Sequence, residues 1–263
     1  MRKIKEIVIW VLLISFLVTT LGFVSAKRKQ ILCNEVEVYI IDKTNNNFVE
    51  EDDIISLIND KGRKILGTSL DSLNLTKLET LIYNHPSVKK AEIYNTINGK
   101  LKIDIKQRKP ILRIINYNRE SYYIDSEGAL MPLSDNYTAH VLVANGDLNE
   151  PYLLRYTKDI ISFTDYDELN RKFVLRDLYF LAKFINDDNF WLAQIEQIFV
   201  IGNEYELIPR VGPQIIEFGN IENYREKFRN LKALYEVGLK SEGWNKYKKI
   251  NLKYNNQVIC TKR

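Results

Sequence analysis

A chain of 263 residues with 45% hydrophobic and 27% charged content holds enough apolar material for one or two cores and excludes global disorder. Half of its net charge of +4 comes from Arg2, Lys3 and Lys5 against Glu6, so residues 27–263 carry 35 basic against 33 acidic side chains. That balance gives no electrostatic footprint for nucleic acid.

In chain order, residues 1–6 read as a short tail. Residues 7–26, IVIWVLLISFLVTTLGFVSA, run for 20 positions without a charge. At about 1.5 Å of rise per residue such a helix spans a hydrocarbon core of about 30 Å, and a single transmembrane helix is expected. Val24-Ser25-Ala26 also fits a secretory cleavage site, but the apolar run exceeds the usual ~7–15 residues of a signal core. Arg2, Lys3 and Lys5 before it are balanced by Lys27, Arg28 and Lys29 after it, so counting cations leaves the orientation tied. Long domains translocate largely regardless of charge. Anchor or signal, residues 27–263 are expected outside the cytoplasm, with the N-terminus inside.

The exported part opens on NEVEVYI, where Val36, Val38 and Ile40 alternate with Glu35, Glu37 and Tyr39, the period of a half-buried strand. A helix follows in VEEDDIISLINDKG, with acids at its dipole-positive start, Ile54, Ile55, Leu57 and Ile58 turned inward, and a stop at Gly62. A second helix carries Leu75, Leu78, Leu81 and Ile82, capped by Asn74 and closed by Pro86. KAEIYNTI and KLKIDIKQ flank Asn98-Gly99, which predicts a two-residue hairpin. The order over 31–108 is β-α-α-β-β.

A boundary is expected at QRKP, followed by strands in ILRIINY, SYYIDSEGALMPL and HVLVANG. Asp125 and Gly128 take the first and last positions of a type I turn. One helix of about five turns fits DELNRKFVLRDLYFLAKFIND. Strands return in IEQIFVIG, EYELIPR and QIIEFG, then a helix over 221–237 with Asn220 as cap and Gly238 as stop. The chain ends on KINLKYNNQVICTKR, where Ile250, Leu252 and Tyr254, then Val258 and Cys260 across Asn255-Asn256, predict a terminal strand or hairpin. The fold class is α+β: a small βααββ unit, then a larger β-rich domain over 109–263 with two helices.

Catalytic patterns are missing. There is no G-x-S-x-G, S-x-x-K, H-E-x-x-H or Gly-rich phosphate loop. His85 stands beside a helix-stopping proline and His140 enters an apolar run; both read as capping or packing residues. Glu50 to Asp53 complements a helix dipole and Asp187-Asp188 follows a helix, so neither needs glycoside chemistry to explain it. Phe190-Trp191 and the sixteen tyrosines read as core and interface packing. Cys33 and Cys260 show no metal spacing; they are either packed thiols or one disulfide. No enzyme, cofactor, metal, nucleic-acid or small-molecule site is expected.

An N-terminal helix, a β-α-α-β-β unit and a β-rich second domain together resemble the FtsQ/DivIB family of bacterial division proteins. LTKLETLI, HPSVKKAEI and the closing LKIDIKQRKP are similar to its POTRA domain, with Arg108-Lys109-Pro110 at the family's Arg-x-Pro end. SYYIDSEGALMP resembles its aromatic-aliphatic-Asp-x-x-Gly turn, and KINLKYNNQVIC its last strands, with Asn251 where an acid is common, Lys253 where Arg is common, and Asn255-Asn256 for a Gly-containing turn. The resemblance implies a non-enzymatic scaffold in the cytoplasmic (inner) membrane, its outer part periplasmic and enriched at the septum, linking partners that control septal peptidoglycan synthesis. It also implies FtsB-like and FtsL-like coiled-coil partners, the former docking on the terminal strand by β-augmentation. The residues expected there are Leu252, Lys253, Tyr254, Val258 and Ile259, with Tyr254 as aromatic anchor and Lys253 facing an acidic partner residue. The alternatives are that the strand is simply the last one of the core, or that the chain is a POTRA-containing accessory of polypeptide transport or outer-membrane assembly.

Overall fold

The computed structural model describes residues 2–28, 31–41, 47–60, 65–152, 160–162, 173–240 and 243–263. The chain divides into two compact units between Gln107 and Arg108. Helix α1 (Arg2–Arg28) opens the first. Its described side chains, residues 9–22, are all exposed. Those residues extend only about 21 Å at helical rise, and among the described residues no helix is long and apolar enough to cross a membrane. The remaining side chains of the expected 7–26 span lie outside the described residues.

The first unit is then β1 (Glu35–Ile40), α2 (Glu51–Asp60), α3 (Leu75–Tyr83), β2 (Val88–Asn95) and β3 (Lys100–Gln107). β3 takes the centre of the sheet, parallel to β1 and antiparallel to β2. Its alternation places Leu101, Ile103 and Ile105 fully inside, while Lys100, Lys102 and Asp104 face out. Asn74 caps α3 as expected, its Oδ1 accepting the Lys77 N–H at 3.0 Å. In α2, Ile54 and Ile58 are buried but Ile55 is exposed, because at 100° per residue Ile55 leaves the stripe the other two define. Its expected stop, Gly62, lies outside the described residues.

The β2–β3 hairpin is wider than the sequence predicts. Thr96 N–H donates to the Lys100 carbonyl and Gly99 N–H to the Thr96 carbonyl, leaving three residues between the paired positions, with Gly99 at φ 84°. A Cβ on Gly99 would sit 2.8 Å from the Leu32 carbonyl oxygen, so glycine is required there for close approach as well as for its dihedral.

The second unit is a nine-stranded mixed sheet in the order β12-β11-β10-β9-β8-β7-β4-β5-β6. Its strands are β4 (Pro110–Ile115), β5 (Ser121–Asp125), β6 (Leu130–Met131), β7 (Leu142–Gly146), β8 (Ile195–Ile201), β9 (Glu204–Pro209), β10 (Ile215–Gly219), β11 (Tyr247–Asn251) and β12 (Ile259–Lys262). The helices are α4 (Val174–Asp187), α5 (Asn189–Gln194) and α6 (Tyr224–Ala233). Leu175, Leu178, Leu181 and Ile185 of α4 join Ile198, Val200, Tyr205 and Leu207 of the central strands in one core. Phe228 of α6 meets Trp191 of α5 at 5.0 Å and Phe218 of β10 at 5.1 Å.

Three expectations need correction. Residues 163–172 lie outside the described part, and the helix that follows begins at Val174. A separate helix, α5, comes next, its N-cap Asp188 accepting from the Phe190 N–H at 2.8 Å, so the described residues of the unit hold the three α-helices α4, α5 and α6 where two were expected. Helix α6 is preceded by Asn223 at φ 52° rather than capped by Asn220. Asn220 instead receives the buried Lys227 ammonium on its carbonyl (2.8 Å) and its side chain (3.2 Å). Gly238 does not stop the helix but lies inside a π-helical turn, Leu234–Leu239. A Cβ there would come within 2.7 Å of Leu234 Cδ1.

The two turns singled out at the start of this unit are joined. Arg108 Nη1 is 2.9 Å from Asp125 Oδ2 in a largely buried pair. The other oxygen of Asp125 accepts the Glu127 and Ala129 N–H groups at 2.9 and 2.8 Å, and Gly128, at φ 85°, closes the turn by donating to the Asp125 carbonyl. One carboxylate thereby fixes both the entry to β4 and the β5–β6 connection.

Candidate partner-docking edge

β11 is held by β10, to which it runs parallel in the register Ile215↔Lys249, Ile216↔Ile250 and Glu217↔Asn251. β12 returns antiparallel along β11, pairing Ile250 with Cys260 and Asn251 with Ile259. Between them Tyr254 to Gln257 make the corner, and Asn256 adopts φ 58°. Asparagine tolerates this left-handed conformation better than other non-glycine residues, which explains how the pair Asn255-Asn256 makes a turn without glycine.

The expected docking residues fall into distinct places. Leu252 lies between the two strands, donates its N–H to the Glu217 carbonyl at 2.9 Å, and is 2% exposed. It is a core residue that pins the hairpin down. Lys253 already has an intramolecular partner, Glu204 Oε2 at 2.5 Å, and its stem covers Gly219, whose missing Cβ leaves the room. Tyr254 stands at the corner, 57% exposed. Val258 is half-buried and packs against the core. Ile259 begins β12 and is 45% exposed. Tyr254 and Ile259 are thus the apolar side chains this end of the sheet offers to solvent, while Leu252 and Lys253 hold the hairpin in place.

Sequence reading missed the acids that brace the hairpin. Glu217 on β10 accepts from Lys249 Nζ at 2.5 Å and from Asn251 Nδ2 at 2.8 Å. The Lys249 ammonium, opposed by partial burial, holds its carboxyl below the ordinary range. Glu204 and Glu217 occupy strand positions facing later lysines across the sheet, a pairing that appears only once the register is known.

β12 ends the sheet, and among the described residues no strand pairs beyond it. Arg263 N–H turns inward to the Lys246 carbonyl at 3.1 Å. By alternation the N–H groups of Ile259 and Thr261 also turn inward, while those of Cys260 and Lys262 face outward. Cys260 and Cys33 are free thiols in this structure, and burial pushes both thiols up. Half-buried His85 accepts the Ser87 N–H at 3.3 Å and burial lowers its pKa; His140 is exposed. Among the described residues no group of three or more His, Cys, Asp or Glu could hold a metal ion.

The fold defines a class: a small POTRA-type unit followed by a sheet domain with β12 as the last strand of its sheet. Comparison with known families gives the same answer. Residues 31–106 match the POTRA-like domain, and residues 109–261 match FtsQ/DivIB, C-terminal related. The second match spans more than half of the chain, which therefore belongs to the FtsQ/DivIB family, a family of division-associated, non-enzymatic scaffolds. No curated protein matches the chain.

Proposed function

We propose that this chain is a single-pass scaffold of the division machinery, with residues 1–6 in the cytoplasm, 7–26 in the inner membrane and 27–263 outside. It links FtsB-like and FtsL-like coiled-coil proteins at the septum and thereby helps to control septal peptidoglycan synthesis. The observation that carries this reading is the open outer edge of β12 in a chain of this family. An incoming strand gains main-chain hydrogen bonds from the outward groups of Cys260 and Lys262, and Tyr254 and Ile259 supply apolar contacts beside them. Lys262 and Arg263 are exposed at the end of β12, which favours an acidic partner strand.

The test is co-purification of the full chain with the FtsB-like and FtsL-like proteins of the same cell. Tyr254→Ala removes the aromatic anchor. Lys262→Pro removes an outward N–H without removing a ladder bond, a change edge strands tolerate. Both variants are expected to weaken partner recovery at least tenfold while shifting stability by no more than about 0.5 kcal/mol. Unchanged recovery with both variants, in proteins that remain folded, overturns the assignment of this edge.

A further inference from the structure

The chain enters the POTRA-like unit and turns its β2–β3 hairpin at one and the same end. β1 and β3 run parallel from the pair Glu35↔Lys100, so the residues before Glu35 and those before Lys100 leave the sheet side by side. The Asn34 N–H donates to the Gly99 carbonyl at 2.8 Å, and Gly99 itself lies against the Leu32 carbonyl. A third segment joins them there. The Cys33 N–H reaches the Thr68 carbonyl and the Gly67 N–H the Cys33 carbonyl, both at 2.8 Å, and Leu32 is bridged to Ser69.

Each of the three segments carries an exposed aliphatic side chain. Ile97, at the hairpin tip, is 90% exposed, Leu66 51% and Leu32 49%. The tip is stiff, because Thr96 Oγ1 accepts the Lys100 N–H at 3.0 Å and donates to the Lys100 carbonyl at 3.1 Å, so Ile97 is held outward rather than left to fold back. One exposed aliphatic residue needs no explanation. Three on adjoining segments at one end of a small unit point to a surface that covers them.

The length of the chain selects that surface. With residues 7–26 in the membrane, the apolar span closes at Ala26 and helix α1 continues to Arg28, which adds about 3 Å. The four residues from there to Leu32 reach at most about 14 Å. Leu32 therefore stands within about 17 Å of the hydrocarbon boundary, and the headgroup region takes up about 5–8 Å of that distance. Lys27, Arg28 and Lys29 lie in this short connection, and cations so placed draw anionic headgroups. β3 leads away from this end, with Lys106 about 20 Å farther along the strand than Lys100.

We propose that this end of the POTRA-like unit rests on the outer surface of the same membrane, with Ile97 entering the boundary between headgroups and acyl chains and Leu32 and Leu66 lying against the lipid beside it. The inference rests on the membrane reading of residues 7–26. The contact orients the unit on the bilayer, where a tether alone would leave it free to turn.

The test uses the full chain, carrying Cys33→Ala and Cys260→Ser, in bilayer nanodiscs of phosphatidylethanolamine and phosphatidylglycerol. A nitroxide is attached in turn at Leu17→Cys, within the apolar span, at Asn98→Cys, beside Ile97, and at Lys106→Cys. Its collisions with oxygen, which concentrates in lipid, are compared with its collisions with a water-soluble nickel complex. The oxygen-to-nickel ratio at the Asn98 site is expected to exceed that at the Lys106 site at least threefold. Ile97→Asp, a change at an exposed turn position that leaves the core untouched, is expected to bring it down to the Lys106 value. A high ratio at the Leu17 site with equal ratios at the other two overturns the proposal and leaves the anchor standing. A low ratio at the Leu17 site removes the anchor reading and the proposal with it. A high ratio at the Asn98 site that survives Ile97→Asp also overturns the proposal, because the tether alone then holds this end at the lipid.

Discussion

The two ends of the nine-stranded sheet are built on opposite plans. At one end β6 has two residues, Leu130 and Met131, both buried, and Pro132 follows, which cannot donate to a ladder. That edge is sealed by brevity and burial, and the turn leading to it is locked by the Asp125 carboxylate. At the other end β12 is exposed along its length apart from Cys260, and what braces it is a set of surface pairs, Lys253 with Glu204 and Lys249 with Glu217. An exposed edge is a liability that proteins usually cover or blunt. One edge of the sheet is thus sealed and the other braced in place, and the two ends differ in what holds them.

This contrast predicts where the chain is fragile. The largest effect is expected at the sealed end. Asp125→Ala leaves Arg108 without its anion and orphans the Glu127 and Ala129 N–H groups, and breaking a buried pair of this kind costs about 3–5 kcal/mol. Urea unfolding of Asp125→Ala, Arg108→Ala and the double variant should show strong non-additivity. Additive losses would mean that the two residues act separately and that the lock is not a unit. Next in size is Leu252→Ala. Although it stands next to an exposed corner, its side chain is in the core, and truncation is expected to cost about 2–4 kcal/mol. A loss below about 1 kcal/mol would place the open hairpin outside the cooperative core and break the distinction between the pinned base of the hairpin and its free rim.

Much of this was legible beforehand because local signals and tertiary demands agree. Alternation in KLKIDIKQ marks β3 because the strand is buried on one face and solvated on the other. Asp125 and Gly128 mark their turn because its hydrogen bonds stay within five residues. The misses occur where a distant contact overrides the local signal. Gly238 reads as a helix stop, yet the chain continues through it in a π-turn with the Leu234 side chain lying over it. Asn220 reads as a cap, yet it serves Lys227. At the docking edge, periodicity found the hairpin but not the division of labour within it. Leu252, Lys253 and Tyr254 are adjacent in sequence and differ in role because Glu217 and Glu204, 35 and 49 positions earlier, fall beside them only after β9, β10 and β11 are in register.

Smaller effects are expected among the braces of the open end. Lys253→Ala removes a pair whose members are both substantially exposed, and such pairs contribute at most about 1 kcal/mol, less when salt screens them. The loss measured at low salt is therefore expected to shrink at 1 M salt. A loss that ignores salt would reassign the role of Lys253 to its aliphatic stem over Gly219.

The slightest effect concerns pH. The Lys249 ammonium, despite the opposing effect of partial burial, holds the Glu217 carboxyl below its unfolded value. A group with a depressed folded pKa contributes stability that is fully present above its unfolded pKa and is lost as pH falls through the folded one. Acidification below the ordinary carboxylate range should therefore loosen the β10–β11–β12 end, because Lys249 then loses its partner. Amide exchange followed at Ile250, Leu252 and Cys260 as pH is lowered measures this directly. Glu217→Gln should flatten the response at those amides while preserving its contact with Asn251. A response that persists in the variant would mean that another carboxylate, with Glu204 the nearest candidate, governs the open edge.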